Sequence, residues 1–516
     1  MTSRQEIVII GGGASGLSVL FKLIDLKIDF DCMKPIKIIL IEKQQNLGDG
    51  NAYQIDYHSN LLNTAAGLFS NIGDMNRFIL NNQPAFLKWL RENFNTYQHF
   101  YPQLTLNEIT TNSYLPRGLV GIYFRHLFKN YCTLAAQYNV SIEIYYQEAI
   151  DIHELNSTSF QIILKNNKKI NGTKIILALG NFFHQPFNSI NSKNYFNNPW
   201  PQPQLKDVLL KQDSVAIIGT KLSGLDGLNL LKINDFKGRI FLCSRTGFLP
   251  SVKNVHHHYQ SKILTINSLK QLTENFQNYL RLEDFISLLK LELEFATKVK
   301  IKWKNLFKLK EFKLSWFNWQ ISMAKNLDTQ WQSVLAALDE VVTSGWNYLS
   351  IEDKKIFYEN YGFFWDTYRF SMPLETALML SELEASGQLI ICKNTKLISV
   401  TDNYFKLSGE NCNNSRNHNH NFKTTSLINA TGVNHNFRTI TNLLIQNVIQ
   451  KKLAIPNAFG GFTMNFETFS NNLHPNIYML GNLTKGTHLF TNSFLICLNQ
   501  AARVATTIFN EIRKTS

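Results

Sequence analysis

Gly11, Gly13 and Gly16 stand at the spacing of a phosphate-cradling turn, directly after the apolar run Ile7-Val8-Ile9-Ile10. Gly11 permits the tight turn. Gly13 lets backbone approach a pyrophosphate, and Gly16 lets the following helix pack on the strand, while Ala14 and Ser15 open a helix whose N–H groups and dipole favour an anion. A second apolar run, Ile36 to Ile41, ends in Glu42, placed to accept hydrogen bonds from ribose hydroxyls. Strand, glycine turn, helix and acid together predict a dinucleotide site.

The pattern recurs. Ser214 to Ile218 leads into Gly219, Lys221 and Gly224, then a helical stretch to Leu231 and the strand Arg239 to Cys243. Lys221 brings a side chain to the position where close backbone approach is needed, so it either contacts a phosphate or marks a lost nucleotide site. Arg245 is expected where an NAD site carries an acid, and its guanidinium suits a 2′-phosphate, which favours NADP. Each unit later meets an apolar strand closing on glycine, Ile175 to Gly180 and Leu427 to Gly432, an internal architectural repeat.

Two dinucleotide sites in one chain imply electron transfer between a nicotinamide and a flavin, with the cofactors supplying the chemistry. The six cysteines are scattered without a Cys-x-x-Cys, so neither a redox dithiol nor a zinc site is expected, and reduced cytoplasmic thiols follow. His256-His257-His258 are adjacent in a loop and do not converge on one metal ion.

These elements fit an α/β fold of two Rossmann-like dinucleotide-binding domains, for FAD and NADP, with a mainly helical insertion at about 265–385. The expected boundaries are 1–205 for the first part of the FAD domain, 206–433 for the NAD(P)-like domain, and 434–516 for the returning C-terminal part. The 516 residues, 44% hydrophobic and 17% charged, suffice for several cored domains. No unbroken apolar stretch reaches the length of a spanning helix, and the N-terminus runs straight into the first strand without the pattern of a signal peptide. A formal charge of +14 suits nucleic acid, anionic membrane or anionic small molecules alike. The lysine-rich run Lys298 to Lys313 could suit RNA or a membrane surface or form a solvated face, and its periodicity fits strand and helix equally. Without an RNA-binding signature no specific nucleic acid is expected, while peripheral membrane contact stays open. Asn411 to Asn421 reads as a surface loop.

Further segments carry a resemblance. Gly48-Asp49-Gly50-Asn51-Ala52-Tyr53, Leu61-Leu62-Asn63, Tyr114-Leu115-Pro116-Arg117, Leu177 to Asn181, Ser244 to Pro250, Trp365-Asp366-Thr367-Tyr368-Arg369 and Gly481 to Thr487 run in order over nearly the whole chain. In these it resembles the bacterial FAD/NAD(P)-binding protein family, flavoproteins similar in architecture to N-hydroxylating and Baeyer-Villiger monooxygenases, which use NADPH, FAD and oxygen. The resemblance implies that Ala52, Tyr53, Leu62 and Asn63 lie against the flavin, with Asn63 a candidate catalytic contact, and that Gly481 and Asn482 close over its ribityl chain. Asn482 stands where related flavoproteins commonly carry Asp. Leu489-Phe490 replaces the Trp-Glu pair of the family.

Trp365, Asp366 and Arg369 follow helical spacing, so Asp366 and Arg369 are candidates for a substrate or NADP-phosphate site, or else a surface ion pair beside a core tryptophan. The expected function is an FAD-dependent, NADPH-using oxidoreductase, a monooxygenase of a small molecule with oxygen as co-substrate. Two alternatives stay open: a flavin dehydrogenase or oxidase with a degenerate nicotinamide site, and a non-catalytic flavin-binding interaction protein.

Overall fold

In a computed structural model of the full chain, residues 5–32, 34–56, 58, 60–67, 85–254, 259–275, 279–304, 313–327, 330–411 and 419–514 are described. The His256–His258 triplet falls outside them, as do 305–312 of the lysine-rich run and 412–418 of the asparagine-rich segment.

The chain divides into two compact units, Met1–Phe182 with Val433–Ser516, and Phe183–Gly432. The first is organised by a parallel sheet in the order Ile477–Met479, Lys174–Leu177, Gln5–Ile10, Ile36–Ile41, Val140–Tyr145. Its central strands are continuous Ile/Val/Leu runs because both faces are covered, and Ile7, Val8 and Ile9 are fully buried. Helix Ala14–Asp29 packs against the helices Gly118–Gln137 and Phe494–Lys514. An antiparallel meander, Ala149–Asn156, Ser159–Leu164 and Lys169–Gly172, follows the third strand. The alternating burial of Ser159–Leu164 is that of a sheet with one face on the core. The C-terminal segment belongs to this unit because Ile477–Met479 hydrogen-bonds to Lys174–Leu177.

The second unit carries a seven-stranded sheet ordered Asn419–Thr424, Phe405–Glu410, Leu389–Val400, Arg239–Cys243, Ser214–Ile218, Ser426–Asn429, Tyr195–Phe196. The first two join antiparallel and the rest are parallel. Between Arg239–Cys243 and Leu389–Val400 the chain makes a mainly helical excursion, from Ile266–Asn275 to Leu374–Ala385. Three expectations shift. Residues 183–205 fold with the second unit, since Tyr195–Phe196 is its edge strand. Asn419 to Asn421 belong to a strand, because backbone pairing with Phe405–Glu410 overrides their loop-like composition. The lysine-rich run forms neither strand nor continued helix at its start: helix Leu282–Thr297 stops where Lys298 turns left-handed, at φ 55°.

Candidate functional site

The first glycine turn is fixed by what surrounds it. Gly11 N–H donates to the Ile41 carbonyl at 2.8 Å, and its φ of +110° carries the chain so close to the neighbouring strand that a Cβ would lie 2.1 Å from Ala178 O. At Gly16 a Cβ would meet Gly11 O at 1.9 Å, so only glycine lets the helix start this close to the strand. Gly13 occupies the N-cap of helix Ala14–Asp29 with no side-chain cap and no acid in the first turn. The helix thus opens with amides that no side chain caps. Glu42 is oriented by two backbone donors, Gly12 N–H on Oε2 at 2.7 Å and Gln44 N–H on Oε1 at 2.9 Å. Each oxygen keeps a further acceptor position.

A cleft runs from this turn through the first unit. Gly11, Gly13, Ala14, Ser15, Glu42, Ala52, Tyr53, Gly481 and Asn482, expected from sequence to meet at one site, all line it. Gly16 lies behind them, in the strand–helix contact. Leu62 and Asn63 are not among the lining residues: their segment pairs with the stretch before helix Gly118–Gln137, through Leu62 N–H to Leu115 O and the Leu61–Pro116 bridge. The cleft also takes Asp49, Asn51, Asn181, Asn442 and Cys497, which sequence reasoning did not single out as site residues. Asp49, Asn51 and Asn181 stand in segments already conspicuous as motifs, whereas Asn442 and Cys497 carry no local signal at all.

Buried Asp49 is ion-paired with Arg125 of helix Gly118–Gln137. Burial pushes its carboxyl up to about 6 against the opposing pull of that guanidinium. The Asp49 carbonyl accepts Tyr53 N–H at 2.9 Å, so the pair holds the Gly48–Tyr53 loop at the cleft. Phe494 meets the Tyr53 ring edge-on, with centroids 5.6 Å apart. Cys497 is held protonated, burial lifting its thiol to about 11.

At the far end Gly481, with φ +62°, donates its N–H to Gln500 Oε1 at 2.8 Å. Asn482 Oδ1 accepts from His435 Nδ1 at 2.7 Å, and Asn482 Nδ2 donates to Asn434 O at 3.3 Å. Burial and the nearby Lys485 depress His435 to about 4, despite the bond to Asn482. Close behind, His488 stacks between Phe466 and Phe469, centroids 4.6 Å from each, and burial, followed by Arg503, depresses it to about 4 too. Both imidazoles are therefore neutral in the folded protein at neutral pH. The unfolded chain takes up protons near 6.5 and the folded one only near 4, so stability present above 6.5 falls as pH drops through that interval. For His488, 3% exposed, the loss is about 3 kcal/mol. Melting temperature followed from pH 7 to pH 4 should fall less steeply in His488→Phe than in the parent, and parallel curves would refute this account.

The second turn repeats the first in detail. Gly219 N–H donates to Cys243 O at 2.7 Å, its Cβ would meet Ala430 O at 2.1 Å, and that of Gly224 would meet Gly219 O at 1.9 Å. Lys221 caps its helix at φ −89°, ψ −171°, beside φ −74°, ψ −174° for Gly13. That is extended backbone open to any residue, so lysine is tolerated without strain. Its ammonium donates to Thr367 Oγ1 at 2.9 Å and lies 5.6 Å from the Phe363 ring centroid, and burial lowers it to about 8 against the field of Asp366.

The repeat also corrects the reading of Arg245. Glu42 N–H bonds across to Tyr145 O, and the corresponding bond in the second unit is Ser244 N–H to Cys392 O, both 3.0 Å. Ser244 thus occupies the acid's position, its hydroxyl accepting from Gly247 N–H at 2.9 Å, and exposed Arg245 follows one residue on. Arg369 forks onto Asp339 of helix Asp339–Tyr348, Nε to Oδ1 at 2.8 Å with a second prong from Nη2 to Oδ2. The chain itself supplies an anion to this guanidinium, in place of the open substrate contact expected from sequence. On Arg369's own helix, Phe363–Arg369, Asp366 is exposed and Trp365 is buried.

Residues 8–182 match the FAD-NAD(P)-binding family. The matched stretch contains the whole first turn, Glu42 and the Gly48–Tyr53 loop. A protein of Escherichia coli K12 described as uncharacterized protein YdhS is 26% identical over 268 residues, 48% of this chain and 46% of that protein. The match thus spans about half the length of that relative. The fold is that of N-hydroxylating flavoenzymes. An ornithine N-hydroxylase from Kutzneria sp. 744, solved with reduced FAD, NADP+ and L-ornithine, superposes with a TM-score of 0.55 at 12% identity, covering 99% of this chain and 100% of that one. Ornithine hydroxylase from Pseudomonas aeruginosa gives 0.54 at 11% identity over 98% and 99%. No helix among the described residues is long and apolar enough to cross a membrane.

Proposed function

We propose that the chain is an FAD-dependent monooxygenase of a small molecule, with NADPH as reductant and oxygen as co-substrate, one oxygen atom entering the small molecule and the other leaving as water. The observation that carries it is the single cleft joining a helix start without a side-chain cap, a doubly oriented carboxylate and the Gly481–Asn482 turn. A dinucleotide fits these groups. Beside Gly13 a Cβ would come within 3.3 Å of Gly50 Cα, so its bare backbone keeps the cradle open.

Bound FAD would supply the means to accept a hydride and pass an electron pair to oxygen. In this arrangement the amides of Ala14 and Ser15 would hold the pyrophosphate, and Glu42 would accept from the adenosine ribose. Asn482, turned by His435 and Asn434, would bond the ribityl hydroxyls through its amide. Asp49 and Arg125 hold the loop that brings Ala52 and Tyr53 to the same cleft, and Phe494 backs Tyr53 to keep water from that side. In the second unit Arg245 is the group for a 2′-phosphate. The fold shared with ornithine N-hydroxylases supports the same reading.

Lys221 favours a second reading. Its ammonium is bonded to Thr367, inside the chain, where a nucleotide-binding turn would be bare. In that case substrate itself reduces the flavin and the protein is a dehydrogenase or oxidase. The visible spectrum, recorded before and after anaerobic NADPH and again after oxygen is readmitted, separates the two. A flavin band that bleaches with NADPH and returns with oxygen is the expected result. Bleaching by substrate alone would favour the second reading, and absence of flavin after reconstitution would overturn both.

A further inference from the structure

Helix Leu282–Thr297 of the helical excursion has two apolar sides. One, carrying Phe285, Ile286, Leu293 and Ala296, is buried. The other is in water: Leu291 is 51% and Phe295 57% exposed, one turn apart, and Val299 just beyond the helix end is 59% exposed. A helix apolar on both sides is ordinarily covered on both.

Glu292 points inward, its carboxylate accepting the N–H groups of Lys262, Ile263 and Leu264. Glu294 is occupied by the turn that follows, accepting from Ile301 N–H at 3.2 Å and Trp303 Nε1 at 2.7 Å. Those two bonds fold the segment after Lys298 back onto the helix. Lys298, Lys300, Lys302 and Lys304 are all exposed, and none forms an ion pair among the described residues. Glu292 and Glu294 are thus taken up by protein partners and Asp284 by Arg281, while Glu283 is exposed at the opposite end of the helix from the four solvent-facing lysines.

We propose that this face docks on an anionic lipid bilayer, Leu291, Phe295 and Val299 entering the headgroup–acyl boundary while the lysines meet lipid phosphates. Charge complementarity and exposed apolar side chains together select the membrane: a polyphosphate such as RNA would use the lysines but leave Leu291 and Phe295 without apolar cover. The proposal stands independently of the redox assignment, since none of these residues lines the flavin cleft.

The full-length flavin-loaded protein is sedimented with vesicles of phosphatidylcholine alone, or of phosphatidylcholine and phosphatidylglycerol in equal parts. Binding is expected only to the second and is expected to weaken as salt rises. The double variant Leu291→Ser with Phe295→Ser should bind at least about tenfold more weakly, as removal of buried apolar surface predicts. The fourfold variant Lys298→Glu, Lys300→Glu, Lys302→Glu and Lys304→Glu should abolish binding, each lysine being worth about fivefold near an anionic surface. Bound flavin per protein, unchanged in both variants, checks that they fold. Failure to sediment with phosphatidylglycerol vesicles, or binding indifferent to the Leu291/Phe295 change, would overturn the proposal. Capture of single-stranded RNA, sensitive to the lysines but not to Leu291 and Phe295, would do so as well.

Discussion

Leucine in place of Gly13 is expected to leave a folded protein that no longer retains flavin. The backbone there, at φ −74° and ψ −174°, accepts any residue, and Lys221 occupies the equivalent position of the second unit in nearly the same conformation. Folding should therefore survive. The side chain would instead fill the space in front of Ala14 and Ser15, already limited by Gly50 Cα at 3.3 Å from the first added atom. A pyrophosphate displaced from the helix start loses its hydrogen bonds and the dipole together, so affinity should drop at least about 100-fold, or about 2.7 kcal/mol. Flavin absorbance per protein after desalting measures it, with the melting temperature of the stripped parent as reference. Stoichiometric flavin in the variant would remove this helix from the cofactor site.

Arg245→Ala should act on the reductant alone. The guanidinium is exposed directly after Ser244, the structural counterpart of Glu42, and its backbone carbonyl is anchored by Asn394 N–H at 3.0 Å. A side chain so placed can form charge-assisted bonds to a 2′-phosphate and has nothing comparable to meet in NADH. We expect kcat/KM for NADPH to fall about 100-fold, some 2.7 kcal/mol, with the value for NADH nearly unchanged. Equal losses with both coenzymes would mean that Arg245 shapes the turn without reading the phosphate. No change with either would favour the reading in which the second turn binds no nicotinamide.

Most of the first site was legible in the sequence because its determinants are local. Gly11, Gly13 and Gly16 need only a strand before them and a helix after them, and Glu42 sits at the end of the next strand by chain length alone. The repeat at Gly219 and Gly224 was legible for the same reason. Arg245 shows where locality ends: the glycine-to-acid spacing is loose by a residue or so, and only the paired backbone bonds to Tyr145 and Cys392 settle that Ser244 holds the equivalent place.

Pairings across the chain were beyond sequence reasoning. Helical spacing offered Asp366 as a partner for Arg369, but the guanidinium fork is met by Asp339, thirty residues earlier, because a neighbouring helix brings a carboxylate in plane. Asn63 was placed beside the flavin by resemblance, yet its segment is held by the strand-like stretch around Leu115 and does not line the cleft. Cys497 enters the cleft from the C-terminal helix region with no motif to announce it.

The sequence by itself determined the two nucleotide-type turns, the helical excursion between late strands, and the return of the C-terminus to complete the first unit. Each follows from backbone geometry that few residue types satisfy and from apolar runs that must be buried. Only the tertiary structure decided the company that side chains keep: Lys221 with Thr367, Asp49 with Arg125, Asn482 with His435. A polar side chain reaches several ångströms in any direction, and the nearest opposite charge or hydrogen-bond partner depends on which distant segment packs beside it.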